Sequence, residues 1–403
     1  MSYIALAGAL ERPVRRATPY VAEVTDALTA EIAVGTAAYD DLSGDWRRLA
    51  SRRPGGAVLF QMPSLLRIWA RHFAAADATD LITVVVRRRG RPVLIWPLFR
   101  ERRLLVDIVT GAGGPIGQYD ECLIDPDCDM QGALAAALDV VRKDVRPDLV
   151  LLERVRESGA LRAALGAIAP VCREEAAPFS DLSHGAEALR VSLKSRVLRQ
   201  QRKRVRRFAE EGAVAFDLAG SAEEARAWLT EAMALKRDWL KTTGRLSRAF
   251  LKPETGNCLA DLAGALVDRA ALPEMIVSRL TLDGRTAAIE MGFRQGDTYH
   301  LYLGAFAPEF AKHGPGNILT EHVLDWCAAN DILRYDMLAP RSRNKSEWQS
   351  GEVEVLDFAL PMTASGRFYL SVVLLGLVPA ARRAFYALPA PLRSTLAGLA
   401  LRI

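Results

Sequence analysis

Residues 311–327 read AKHGPGNILTEHVLDWC, with two glycines flanking a proline directly ahead of an apolar-periodic run. A helix N-terminus presents unpaired N–H groups and a partial positive charge. Glycines there let an anion such as a phosphate approach the backbone with no Cβ in the way. The amides concerned are those of Gly314, Gly316, Asn317 and Ile318, and Lys312 and His313 can add positive charge at the lip. The spacing is neither GxxxxGK[ST] nor GxGxxG. Taken alone, Gly-Pro-Gly before a helix is a weak signal that a plain turn explains better, so the surrounding elements have to decide.

Those elements alternate between helical and strand periodicity. Residues 1–30 carry little periodicity and read as a leader. A helical pattern runs from about Trp46 through PSLLRIWARHF (63–73). LITVVV (81–86), PVLIWPLF (92–99) and LLVDIVTG (104–111) read as strands. AGGPIG (112–117) breaks the chain, CLI (122–124) suits a short strand, 132–144 is helical and LVLLERV (149–155) is a buried strand. After a change of texture at 173–185 comes a basic helix. It is followed by a helix over 221–240, with Ser221 and Glu224 at capping-box spacing, and by another near 257–270. MIVSRLTL, RTAAIEMGFR and TYHLYLG form a meander with Asp283-Gly284 at its first turn. The glycine loop, a helix over 317–329 and strands at 332–338 and 353–360 complete the series.

The two halves share this order without sharing sequence. The expectation is two similar α/β units, 31–180 and 181–362, and a tail, 363–403. Five scattered cysteines without a CxxC pair argue against a zinc site or a disulfide framework and for a reducing cytosol. No secretory signal is convincing, and the longest apolar run, 368–381, is short and contains Pro379. Net charge is +5, concentrated in nine bases and no acid from Arg190 to Arg207; without them the chain is net acidic.

The chain resembles the GNAT acyltransferase superfamily, in which the connection from meander to helix holds the pyrophosphate of an acyl-CoA. It is similar in particular to the CelD/BcsL-type branch with an acetyltransferase-6 domain. The stretches that carry this are DWRRLA…LFQMPSLLRIWARHF, SRVLRQQRKRVRRFAEEG, LTLDGRTAAIEMGF, GPGNILTEHVLDWCAANDILRYDML and SRNKSEWQSG, spanning most of 40–362. The resemblance implies tandem GNAT-like folds on a mixed α/β sheet, distantly related to Fem-type aminoacyltransferases. The carboxy-terminal fold would be catalytic and the amino-terminal one degenerate. It implies acetyl-CoA or another acyl-CoA as co-substrate, no metal, and an acceptor among envelope or exopolysaccharide building blocks. The family's Asp–YK–W ending falls on Asp336, Lys345 and Trp348, with Asn344 where the family has Tyr, and its SPG loop reads HGPG here.

Acyl transfer from a thioester needs a base for the acceptor, donors for the tetrahedral oxyanion and a proton for the thiolate. It needs no enzyme nucleophile, so the lack of a Ser/His/Asp or Cys/His motif is compatible. Candidate bases are Glu290, His300 and Asp336. In a strand His300 and Tyr302 share one face, and Tyr302 can protonate the thiolate. Backbone amides near Leu303 and Gly304 are oxyanion donors by analogy. Each has a bland reading too: an ion pair for Glu290, a sheet histidine, a strand aromatic, a loop anchor for Asp336.

In LRVSLKSRVLRQQRKRVRRF, Leu189, Leu193, Val197, Val205 and Phe208 recur at helical spacing, and the bases cover the other face. That face is solvated or meets a polyanion. A Fem-type relationship makes aminoacyl-tRNA an alternative donor. The tail, with arginines between apolar runs, fits an interfacial segment or a docked helix. The expected location is cytoplasmic, peripheral at the inner membrane if the tail binds lipid. A non-catalytic protein that binds polyanion or membrane is the rival reading.

Overall fold

The computed structural model describes residues 27–52, 58–166, 168–267 and 273–401. The expected leader lies outside these up to position 26, and its last positions already belong to strand β1 (Leu28–Val34). Helices α1 (Ala37–Asp41), α2 (Ser43–Ser51) and α3 (Pro63–Phe73) precede the meander β2 (Leu81–Arg88), β3 (Arg91–Arg103) and β4 (Val106–Gly111). Short β5 (Leu123–Ile124), α4 (Met130–Val140), β6 (Leu149–Arg156), α5 (Ala160–Leu165) and β7 (Val171–Asp181) follow. The second half begins with α6 (Gly185–Ser192), α7 (Ser195–Ala209), β8 (Val214–Leu218), α8 (Ala222–Thr243) and α9 (Glu254–Leu266). Its meander is β9 (Glu274–Leu282), β10 (Arg285–Gln295) and β11 (Thr298–Phe306), followed by α10 (Pro315–Ala329), β12 (Arg334–Asp336), α11 (Lys345–Trp348) and β13 (Gly351–Pro361).

The thirteen strands of the described residues form one mixed sheet, in the order β1-β2-β3-β4-β6-β13-β7-β12-β11-β10-β9-β8, with β5 on β3. From either end the pattern is the same. An antiparallel meander is followed by a strand that runs parallel to its third member: β6 on β4 at Ile108↔Leu149 to Thr110↔Leu151, and β12 on β11 at Thr298↔Arg334 to His300↔Asp336. The halves exchange strands where they meet. β7 leaves the first half to pair with β12, β13 leaves the second to pair with β6, and the two pair with each other. The boundary near 180 therefore divides the chain but not the sheet.

The run LITVVV is buried throughout, Thr83 included, because β2 is covered on both faces. Leu81 and Val85 join one core, and Ile82, Val84 and Val86 join another. Helices α1–α3 and α8–α9 share one layer over both halves, with α3 against α9 and His72 Nε2 3.0 Å from Asp261 Oδ2. On the opposite face α4 and α5 cover the first half, and α6, α7 and α10 the second. Asp283 and Gly284 turn the hairpin at φ +48° and +76°, values an Asp-Gly pair tolerates. Ser221 Oγ accepts the Glu224 N–H (3.1 Å), while Glu224 Oε2 accepts the Gly220 N–H (2.9 Å), which secures the start of α8.

Three expectations change. The basic helix breaks at Leu193-Lys194 into α6 and α7, and Val205 faces outward. The buried place in that stripe belongs to Gln201, which donates to Asn317 O (3.2 Å) and Glu321 Oε2 (2.8 Å), because α7 packs on the polar first turn of α10. The strand expected over 332–338 stops at Asp336, since Leu338 turns at φ +59°. Finally, Pro379 does not end the tail helix. α12 (Ala364–Phe368), the π-helical Tyr369–Leu377 and α13 (Val378–Ala387) are continuous, long and apolar enough by length and composition to cross a membrane. Widening to π spacing removes the need for a proline N–H and relieves its ring against the preceding turn. A last helix, α14 (Ala390–Ala400), lies against α8.

Candidate functional site

β11 and β12 run side by side for three residues only, ending at the rung His300↔Asp336. β11 continues to Phe306, held on its other edge by β10, while the chain after Asp336 turns away through Leu338 and the cis Ala339-Pro340 bond. A wedge opens between the two. From Leu301 onward the β12-facing edge of β11 has no strand partner among the described residues.

Two ammonium groups bracket this wedge. Lys345 Nζ donates to Leu338 O (2.9 Å) and Pro340 O (3.0 Å), which leaves one N–H. Burial pushes its pKa down to about 8, against the opposing pull of Asp336 and with the help of nearby Lys236. Lys236, from the middle of α8, donates to Gly304 O (3.1 Å) on the β11 side and lies over the Trp239 ring. Its pKa is lowered, by burial first and then by Arg245. Neither lysine has a carboxylate partner among the described residues, so the wedge is electropositive. Nothing in the sequence marks Lys236 apart from an ordinary solvated helix lysine.

The floor of the wedge is a buried polar cluster built by both halves. Asp336 Oδ1 accepts from the Tyr119 hydroxyl (2.9 Å) and from the Leu338 N–H (2.8 Å). Arg156 Nη2 stands 3.8 Å and His300 Nδ1 3.7 Å from Asp336 Oδ2. Tyr119, raised well above its usual pKa by burial and then by Asp336, stays a hydroxyl donor. Asp336 is 2% and His300 0% exposed. Asp336 anchors the loop. It fixes Leu338 in a left-handed conformation that costs a branched residue about 1–3 kcal/mol, and so sets one wall of the wedge. Tyr119 and Arg156 come from the first half, at a sequence distance that hid their part in the site.

The glycine loop stands as the cap of α10, with Gly314 at φ +65°. Its own N–H donates to Ala311 O (3.1 Å), and the amides of Asn317 and Ile318 donate to Gly314 O (3.0 and 3.4 Å). Of the four amides expected to be bare, only that of Gly316 lacks an acceptor among the described residues. A Cβ on Gly316 would meet nothing within 4 Å, so this position faces open space. The cations expected at the lip turn elsewhere: Lys312 Nζ and His313 Nε2 lie 2.9 and 3.0 Å from Glu211, and His313 is buried beside Phe208. Arg204 takes their place, with Nε 3.2 Å from where a Gly314 Cβ would stand and Nη1 donating to Glu347 (2.7 Å). Trp348 Nε1 donates to Asn317 Oδ1 (3.2 Å), which ties the ending of the resemblance to the loop.

Glu290 does not meet His300 and Tyr302. It projects from the other face of the sheet, beneath α10, where Tyr335, Tyr299 and Thr320 hydroxyls stand 2.8, 3.2 and 3.4 Å from its oxygens. Burial pushes its pKa up to about 7 against those three donors. Tyr302 does share a face with His300, packing on Phe293 at 5.7 Å between centroids. Burial raises its pKa, and its buried hydroxyl has no partner among the described residues. An orphaned buried donor of this kind is uncommon.

On the first-half side a polar cleft is lined by Phe99, Arg103, Pro115, Gln118, Arg154 and Arg248. Arg154, left-handed within β6 at φ +55°, donates its N–H to Asp357 Oδ1 (2.7 Å), and its Nη1 to Gln118 Oε1 (2.5 Å). Its charge is felt at both Tyr302 and Lys345. Arg248 reaches across from the second half to both oxygens of Glu153 (2.6 and 2.9 Å).

The meander followed by a parallel strand occurs once in each half, as the resemblance to tandem GNAT-like folds implies. Residues 195–348, within the second half, match the family model described as an acetyltransferase (GNAT) domain. Among solved structures, that of FemX is 13% identical and covers 76% of this chain and 93% of its own, at a TM-score of 0.53. A conserved protein of unknown function from Bacteroides thetaiotaomicron VPI-5482 is 14% identical, covers 81% of this chain and 98% of its own, at a TM-score of 0.51. Both likenesses extend the shared fold over the two halves. No curated protein matches the chain.

Proposed function

We propose that the second half transfers an acyl group from a CoA thioester directly to an amine or hydroxyl. The observation that carries this is the wedge between β11 and β12, open at the α10 terminus and flanked by two unpaired ammonium groups. A donor diphosphate would dock at the Gly316 amide, with the helix dipole and Arg204 supplying positive charge. The thioester arm would lie along the unpaired edge of β11, near Leu303 and Gly304. The acceptor's nitrogen or oxygen attacks the thioester carbon, giving a tetrahedral oxyanion, and the carbon–sulfur bond then breaks. The remaining Lys345 N–H and the Lys236 charge suit that oxyanion. Tyr302, whose hydroxyl has no partner among the described residues, suits the departing thiolate, and the acceptor's proton passes to solvent. The polar cleft by Arg154 suits a hydroxylated, sugar-linked acceptor of the envelope or exopolysaccharide kind.

A second donor, aminoacyl-tRNA, has one observation in its favour. Exposed Arg196, Arg199, Arg202, Lys203, Arg206 and Arg207 lie on α7, the helix that packs against the start of α10. Titration calorimetry with CoA and with charged tRNA separates the two. CoA is expected to bind, and Gly316→Glu, whose side chain enters open space without strain, to abolish that binding while leaving the melting temperature unchanged. Binding of charged tRNA alone, with a steep loss in salt, would replace the CoA reading.

A further inference from the structure

Among the described residues the tail helix has no partner over nearly half its length. At its start, the Thr363 hydroxyl donates to Asp148 Oδ1, and Tyr369 and Leu370 are buried against Val106, Leu149 and Ala359. Past Leu374, every residue from Leu375 to Ala384 is exposed, among them Leu375, Leu377 and Val378 at 51–60%. After Leu388-Pro389, α14 returns to the body. Ala397 is fully buried, and Ser394 Oγ donates to Thr242 O (3.2 Å) on α8. Its outward face carries Leu392, Leu396 and Leu399, exposed by 44–56% and spaced as one helical stripe. Asp357 is the last acid in the chain, and the 46 residues after it hold five arginines.

We infer that this tail seats the protein on an anionic phospholipid bilayer, lying in the interface and not crossing it. Apolar side chains enter the headgroup boundary while Arg382 and Arg383 reach lipid phosphates, the combination that retains interfacial helices. At 1.5 Å per residue the 24-residue helix is about 36 Å long, enough to span. Both its ends, however, are docked on the same folded body, and crossing would tear α14 from α8. A second copy of the chain is a poorer occupant, because the two tails would bring ten arginines together with no acid of their own.

Flotation of the full chain with vesicles tests this, using phosphatidylcholine alone and phosphatidylcholine with about a third phosphatidylglycerol. The bound fraction is expected to be at least about tenfold higher on the anionic vesicles. Leu377→Asp with Val378→Asp, and separately Arg382→Glu with Arg383→Glu, each lower it about tenfold or more. All four positions are exposed, so circular dichroism should show the fold unchanged. Three results would overturn the inference: no flotation, flotation undiminished in both variants, or a wild-type dimer in ultracentrifugation that the Asp variant dissolves while vesicles go unbound.

Discussion

A carboxyl group in a strand facing the core can serve chemistry or only packing, and for Glu290 the choice turns on which side of β10 it occupies. The sequence shows an acid in AAIEMGF but not its face, because the bulge between Met291 and Gly292 shifts the register with β11. Once placed beneath α10, Glu290 becomes a stability group with a pH signature. Its pKa is about 7 in the folded chain and near 4.3 when unfolded. The folded state therefore holds the proton to higher pH. The stability due to the neutral carboxyl is complete below about pH 4 and is lost as pH rises through about 7. Gln fits the same donors, since its oxygen accepts from Tyr299 and Tyr335 and its amide donates to Thr320. Calorimetry of Glu290→Gln should show a flatter fall of melting temperature from pH 5 to 8, and acyl transfer within about threefold of wild type. A hundredfold loss of transfer with the fold intact would return Glu290 to the chemistry. Lys345 was legible only through the family-like ending. Lys236 was not legible at all, because its role arises from where α8 crosses β11.

At the scale of elements, most of the order could be read from periodicity. The Asp283-Gly284 hairpin, the Ser221 cap and the helix behind Gly-Pro-Gly form for local reasons, and local reasons are visible in a sequence. The exchange of β7 and β13 is not local: the paired residues Phe179 and Gly351 lie 172 positions apart, and nothing in either strand says which half it will join. The same holds for the π-helical bypass of Pro379, which depends on continuity with the flanking helices. The exchange has a measurable consequence. Residues 182–361 expressed alone would leave β12 and β13 without the strand between them, exposing a long apolar edge. That fragment should lack a cooperative thermal transition, whereas the full chain melts in one. A sharp, reversible transition in the fragment would show that the halves are independent.

At the scale of the molecule, the first half supports the second more than it mirrors it. It supplies Tyr119 and Arg156 to the floor, Arg154 to the polar cleft and Glu153 to the bridge with Arg248. The resemblance foresaw tandem units, but the cross-half contacts rest on pairs such as Tyr119 and Asp336, 217 positions apart, which no motif links. The whole account depends on a CoA thioester occupying the wedge between β11 and β12, with its diphosphate at the start of α10. Hydrogen exchange read by mass spectrometry, with and without acetyl-CoA, tests that location directly. Protection should appear in peptides covering 301–306, 314–319 and 338–346, and it should vanish in Gly316→Glu. Protection confined to α7 or to the 112–118 loop, or no protection at saturating acetyl-CoA, would contradict it.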